Sequence, residues 1–274
     1  MLSTTASGYY AWLTRPVSRR QQEDARLAVE IRAVHKRTRE TYGPERLQQE
    51  LAADGIKASV HKVKRIRRDL GLRCKQKKKF KATTNSWHSL PVAKNQLQQQ
   101  FAFTAPDQAW VTDITYISTG EGWLYLAGHK DLFTGEIVGY AMAERNLVWQ
   151  SLSQAAAYKG PLAGLIVHSD RGSQYCSHVH QELASQFGIR VSMSGKGNCF
   201  DNAPIESFWG ILKTELVYHR NYTTRKKAKQ DITEYIEIFY NRQRRQARLN
   251  YQSPAVFTHN YYQQAETAKN LSCP

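Results

Sequence analysis

Cysteine is scarce in this chain and badly spaced for a framework. The 274 residues contain four, Cys74, Cys176, Cys199 and Cys273, and none forms a CxxC pair. That pattern argues against a zinc ribbon and against a disulfide scaffold, and it suits a reducing cytosol. No run of 18 apolar residues occurs, so no membrane span is expected. Met1–Tyr10 lacks the basic start and the apolar stretch of a signal peptide. No internal repeat is evident. Acidic residues are outnumbered: 39 Lys and Arg against 23 Asp and Glu leave a net charge of +16, which points to a polyanionic partner. A chain of this length can bury ample core in one large or two to three small domains.

The positive charge is unevenly spread. Residues 1–81 carry +13, residues 82–218 carry −3, and residues 219–274 carry +6. Two basic flanks enclosing a slightly acidic centre suit a protein whose ends grip a phosphate backbone and whose middle binds metal.

Three acids in that centre sit where an acid is awkward. Asp113 lies within the β-branched run WVTDITYI, Asp170 ends the apolar stretch Leu165–His168 in IVHSDRGSQY, and Glu206 opens a helix after a glycine-rich loop. A buried carboxylate costs several kcal/mol unless paired or bound to a cation. Converging carboxylates also raise one another's pKa. A divalent cation relieves both problems, and oxygen-only ligands suit Mg²⁺ or Mn²⁺. This reading predicts metal-dependent phosphoryl transfer.

The surrounding pattern predicts the frame. Residues 23–41 read as a helix with Leu27, Val29, Ile31 and Val34 apolar. A second helix runs over 44–53 from Pro44, and a third from Ser59 to about Leu70. Two short helices and a basic third make a helix-turn-helix, whose outward, DNA-facing residues would include His61, Lys62, Lys64, Arg65 and Arg68; the plainer alternative is a solvated face. Residues 73–100 hold a lysine run and then glutamines, and read as an extended, mobile linker that tracks phosphates. Strands are expected near 109–117, 122–131, 135–142, 163–168 and 188–193, with helices near 147–158, 176–186 and 204–218. The order βββαβαβα predicts an α/β ribonuclease-H-like fold: a mixed five-stranded sheet with flanking helices, preceded by the small all-α helix-turn-helix domain. A further helix over 224–241, the basic stretch Arg242–Arg248 and a short helix from Pro254 complete the chain. The expected regions are 1–72 (helix-turn-helix), 73–105 (linker), 106–222 (catalytic core) and 223–274 (basic helical tail).

In this layout the first and fourth strands are neighbours, so Asp113 and Asp170 meet, and the last core helix carries Glu206 to them. Lys213, seven residues on, shares Glu206's helix face and would lie beside a phosphate. Lys196, in the loop SGKGNCFDN, is a second phosphate-contact candidate. Other residues read as structural. Asp131 caps a turn, Asp201-Asn202 caps the helix bearing Glu206, His168 makes a structural hydrogen bond, and Trp110, Trp123 and Trp209 pack in core and rim. Cys176, His178 and His180 lack the fourth ligand of a structural zinc site.

The motifs WVTDITYI, DLFTGEIVGY, HSDRGSQYCS, MSGKGNCFDNAPIESFWGILKTEL and YIEIFYNRQRRQARLNYQSPAVF together resemble the OrfB product of the IS-three family of insertion-sequence transposases. The likeness runs from about residue 8 to about 258. It implies a DDE-class, retroviral-integrase-like core with Asp113, Asp170 and Glu206 as catalytic, Mg²⁺-holding triad, and strand cleavage and transfer on double-stranded element ends and target DNA. It also implies copy-out, paste-in movement through circular DNA, a homo-oligomer on DNA, an OrfA partner or an OrfA–OrfB fusion, and action in the bacterial cytoplasm at the nucleoid. Relatives usually carry another helix before SGYYAWL. Two rival functions fit fewer features. A structure-specific nuclease leaves the helix-turn-helix and basic tail unexplained, and a DNA-binding regulator leaves the three acids unexplained.

Overall fold

The computed structural model describes residues 5–75, 92–143, 147–160, 162–195 and 199–272. The chain divides into two compact units, residues 1–75 and 76–274.

The first unit is all-helical: α1 Ala6–Leu13, α2 Arg19–Arg37, α3 Pro44–Ala53 and α4 Val60–Asp69. Helix α2 starts four residues before the expected 23, because Ser18 and Gln21 form a reciprocal capping box. Leu27, Ile31 and Val34 repeat at helical spacing and bury against Leu47 and Leu51 of α3 and Val63 and Ile66 of α4. Val29 falls off that stripe and is exposed. Ser59 caps α4 by accepting from the Lys62 amide at 3.2 Å. The α2–α3–α4 trio is the expected helix-turn-helix-like domain.

The second unit is built on one five-stranded sheet: β1 Ala109–Thr119, β2 Gly122–Asp131, β3 Ile137–Ala143, β4 Ile166–Ser169 and β5 Arg190–Met193. The spatial order is β3-β2-β1-β4-β5. The first three strands form an antiparallel meander, and β4 and β5 join parallel. Helices α5 Leu147–Lys159 and α6 His178–Gln186 lie on one side, packing Leu152, Ala155 and Leu183 against Trp110, Val138 and Val167. Helix α7 Ala203–Glu215 covers the other, with Ile205, Phe208, Trp209 and Leu212 against Val111, Ile117, Leu124 and Leu126. This is a ribonuclease-H-like sheet, as the strand pattern predicted.

Three sequence expectations need correction here. The end of the 73–100 segment, residues 92–100, is docked, not extended and mobile: the Gln96 amide donates to the Ser192 hydroxyl at 2.8 Å, Gln96 Nε2 donates to the Val191 carbonyl at 3.0 Å, and Leu97 is buried. It thereby covers the exposed edge of β5. The rest of the lysine run, Lys77–Lys79 and Lys81, lies outside the described residues. Within the basic stretch Arg242–Arg248, Arg244 is internal, while Arg242 and Arg248 stay exposed. After α8 Arg225–Glu234 the chain continues as a π-helical segment, Tyr235–Gln243. Arg244 then turns inward to grip Glu215 of α7 with bonds of 2.8 and 2.9 Å, and Tyr235 Oη donates to the same carboxylate at 2.6 Å. Arg248 Nη1 donates to the Phe133 carbonyl at 3.2 Å. Finally, the helix expected to be short from Pro254 is α9, Pro254–Ser272, 19 residues long.

Candidate active site

The sheet register brings the first two acids together. Thr112 of β1 pairs with Ser169 of β4, so Asp113, still within β1, and Asp170, just past the end of β4, come side by side. Asp170 is shaped by its own loop, accepting from the Gly172 amide at 2.9 Å. Glu206 enters from the first turn of α7, where the helix N-terminus favours a negative charge.

Electrostatics bind the three acids into one group. Burial, and then the charges of Asp170 and Glu206, push the Asp113 carboxyl up to about 8. Burial and the charge of Asp170 likewise raise Glu206. Such mutual repulsion requires the carboxylates to face a common space. Among the described residues no three His, Cys, Asp or Glu side chains stand close enough to ligate one ion as they are placed. In chemistry the donor set still fits a hard divalent cation: it is all oxygen, partly buried and repelling itself.

The site rests on supports the sequence reading passed over. Trp209, one turn beyond Glu206, donates from Nε1 to Asp113 Oδ2 at 3.1 Å. Its ring lies across the sheet at Gly128, the residue paired with Asp113, where a Cβ would come within 2.9 Å of the indole. Only glycine admits the indole at that distance. Asn202 Nδ2 donates to the Thr112 carbonyl at 3.0 Å. Lys130 Nζ donates to the Pro204 carbonyl at 3.0 Å, with its ammonium pulled down to about 7 by burial. Both bonds fix the start of α7 to β1 and β2. The sequence signal for Trp209 was its i+3 spacing from Glu206; nothing local marked Gly128 or Lys130.

The remaining candidates fall in several places. Lys213 is buried at 9% exposure on the Glu206 face of α7; burial lowers its pKa, and the charge of Asp113 opposes that shift. Lys196 lies outside the described residues. On α4, His61, Lys64 and Arg68 are exposed. Lys62 and Arg65, expected to face outward, instead reach back to Asp24 of α2 at 3.1 and 2.6 Å. Asp131 caps its turn as expected, accepting from the Thr134 amide at 2.6 Å. His168 is bonded to the Ser192 and Ser194 hydroxyls at 2.8 and 3.2 Å. Asp201 does not cap α7, and Asn202 at the N-cap position makes no side-chain cap bond; Asp201 is a buried tether that accepts from the Gly195 amide and from Asn95. Trp110 and Trp209 are buried in the core, and Trp123 is 56% exposed and meets Tyr116 edge to face.

Comparison with known proteins defines the class first. An integrase core domain model matches residues 104–199, a second integrase core model matches 206–261, and an HTH-like domain model matches 21–80. The chain is 38% identical over 262 residues to "Transposase InsF for insertion sequence IS3A" of Escherichia coli (strain K12), covering 94% of this chain and 91% of the relative. It is 55% identical over 268 residues to "Insertion element IS600 uncharacterized 31 kDa protein" of Shigella sonnei, covering 97% and 98%. A solved structure of the HTLV-2 integrase catalytic core domain in complex with magnesium aligns over 57% of this chain and 98% of that one, at 16% identity and a TM-score of 0.44. The matched models place an HTH-like domain ahead of an integrase core in this chain. The chain belongs to the IS3 family of insertion-sequence transposases. Among the described residues, no helix is long and apolar enough to cross a membrane.

Proposed function

We propose that this transposase cleaves and joins DNA strands at a DDE triad of Asp113, Asp170 and Glu206. The observation that carries the reading is the placement of three acids on β1, just past β4 and in the first turn of α7, with Trp209 of that helix bonded to Asp113. Asp113, Asp170 and Glu206 would hold Mg²⁺ or Mn²⁺, which when bound supplies charge neutralisation and Lewis acidity for phosphoryl transfer. The chain's own part is positional. Trp209 fixes one oxygen of Asp113, the Gly172 amide orients Asp170, and Lys130 and Asn202 anchor the helix that presents Glu206. Lys213 adds a positive charge behind the acids, and Lys196 a second phosphate contact.

The rest of the reading follows the resemblance. The helical unit binds element ends through His61, Lys64 and Arg68, with Lys62 and Arg65 joining once freed from Asp24. The protein works as a homo-oligomer on DNA with an OrfA partner or fusion, in the bacterial cytoplasm at the nucleoid. The regions divide at 1–72, 73–105, 106–222 and 223–274. The test is strand cleavage and joining on labelled element ends with Mn²⁺, run beside gel shifts. Asp113→Asn, Asp170→Asn and Glu206→Gln should each lower the rate by about a thousandfold or more while DNA binding persists. Retained cleavage in any one removes that residue from the triad.

A further inference from the structure

Residues 92–100 do more than cover a sheet edge. Asn95 Nδ2 donates to Asp201 Oδ2, and Gln99 Nε2 donates to Asp201 Oδ1, both at 3.0 Å. The Gly195 amide donates to the same Oδ2 at 2.7 Å. Asp201 is 1% exposed. A carboxylate this deep is tolerated where N–H donors replace its lost water, and Asn95 and Gln99 bring two such donors from far away in the sequence. The backbone bends to deliver them. Asn95 Oδ1 accepts from the Leu97 and Gln98 amides at 3.1 and 2.9 Å, which closes a tight turn. Gln98 and Gln99 then take left-handed backbone, with φ of 47° and 60°. Neither is glycine, and such backbone persists where the surrounding contacts over-determine it. Here it returns the Gln99 amide to Asp201.

Asp201 stands where the acids are set. It lies in the short helical turn Cys199–Asn202, which runs straight into α7 and its first-turn acid, Glu206. Its neighbour Asn202 holds the Thr112 carbonyl, one residue from Asp113. A second line runs from the same segment toward Asp170. The Gln96 amide donates to Ser192 Oγ, which bonds His168 Nδ1 at 2.8 Å. His168 Nε2 bonds Ser194 Oγ at 3.2 Å, and the Ser194 carbonyl accepts at 2.7 Å from Nε of Arg171, next to Asp170. Ser192, His168 and Ser194 are all buried. One stretch of chain ahead of β1 is thus bonded to the supports of two of the three acids.

We propose that Asn95 and Gln99 are positioning residues of the active centre: through Asp201 they fix the start of α7, and with it the Glu206 carboxylate, for the metal. The inference rests on the proposed triad and deepens it. Groups that orient a metal ligand without touching the ion set how tightly the ion is held.

The test is Mn²⁺ uptake by the full chain without DNA, read from the paramagnetic resonance signal of free Mn²⁺. Asn95→Asp keeps the oxygen that closes the turn and sets a second carboxylate against Asp201. It should weaken Mn²⁺ binding by roughly tenfold. Gln99→Glu should act in the same direction and by less, because Gln99 is exposed. Gln96→Ala is the control: it removes the side-chain bond to the Val191 carbonyl and leaves Asp201 its donors. It should lower melting without moving Mn²⁺ binding. Cleavage of labelled element ends should slow in Asn95→Asp, and excess Mn²⁺ should restore most of it. Mn²⁺ binding unchanged in Asn95→Asp and Gln99→Glu, or weakened as much in Gln96→Ala, overturns the positioning role. If Asn95→Asp does not fold, Gln99→Glu decides alone. Asp113→Asn, measured in parallel, separates the two ideas. If it loses Mn²⁺ binding and cleavage while the Asn95 and Gln99 variants match the wild type, the positioning role alone fails. If it keeps both, the triad fails and the positioning role falls with it.

Discussion

Helix α7 holds a carboxylate near each end, and the two ends treat them in opposite ways. At the C-terminal end, Glu215 is buried and met by a bidentate arginine and a tyrosine hydroxyl. At the N-terminal end, Glu206 shares its space with two further acids, and burial and repulsion raise its pKa. A buried acid given a fixed cation by the chain is part of the frame. An acid group held together against its own repulsion has an energetic cost that the fold does not recover, and such sites are where function concentrates. The same helix thus separates architecture from chemistry within three turns.

After the triad substitutions, the largest effect should come from breaking the architectural end. Arg244→Met leaves Glu215 buried without its guanidinium and should cost about 3–5 kcal/mol of stability. Urea unfolding measures it, and cleavage per folded molecule should be nearly unchanged. Replacing both partners, Arg244→Met with Glu215→Leu, should recover most of the loss, since neither charge then stays buried alone. A double variant as unstable as the single one would mean that the pair is needed for more than charge balance.

The chemical end should reveal itself through pH. Asp113 has its carboxyl raised from 3.8 to about 8 in the folded, metal-free chain. Below both values the acid is protonated in folded and unfolded states alike, and its contribution to stability is fully present. As pH rises through the window between them the unfolded chain ionises first, so stability falls until the folded carboxyl also ionises near 8. Melting temperature in chelator should therefore drop across this window, and Asp113→Asn should flatten the drop. Added Mg²⁺ should raise melting more at the alkaline end than at the acidic end, because only the ionised acid binds it. A wild-type profile as flat as the mutant's would remove the repulsion from the account.

The strands and the acids were legible for a shared reason. β2 falls on the expected residues 122–131, and β1 and β3 within two residues of expectation, because a buried strand needs a β-branched or apolar run and turn residues end it. An acid inside such a run stands out. What escaped were contacts across long sequence separations. Glu215 and Arg244 are 29 residues apart, and Arg244 reads as one more cation of a basic tail until its carboxylate partner is seen. Gln96 docks on β5 through Ser192, 96 residues away, so a polar segment read as linker became part of the sheet's edge.

Between the two ends of α7 sits Lys213, which sharpens the contrast. It is as buried as Glu215, yet it shares the face of Glu206. Lys213→Met keeps the stem's volume and removes the charge, so melting should change little while the joining rate falls roughly tenfold, about the worth of one phosphate-directed charge-assisted bond. Unchanged joining would make the lysine packing alone.

The smallest expected effects lie in the helical unit, where exposed cations and cations held by Asp24 again divide. Isolated residues 1–75 should bind duplex DNA with an affinity that falls steeply with salt, since each neutralised phosphate adds about −0.9 to the log–log slope. Lys64 and Arg68 are both exposed on α4, so Lys64→Ala and Arg68→Ala should each flatten the slope by about one contact. Lys62 and Arg65 reach Asp24 at 3.1 and 2.6 Å, and their hydrogen bonds hold the Asp24 carboxyl below its ordinary range. A lysine already held by an aspartate must leave it to meet a phosphate, so Lys62→Ala should flatten the slope by less than Lys64→Ala. Asp24→Asn would release both cations and should raise affinity slightly at low salt. Binding titrations across salt concentrations on these four variants decide the matter. A slope lost equally at Lys62 and Lys64 would show that DNA displaces Asp24 outright, and a slope unmoved by Lys64→Ala and Arg68→Ala would take α4 away from the DNA.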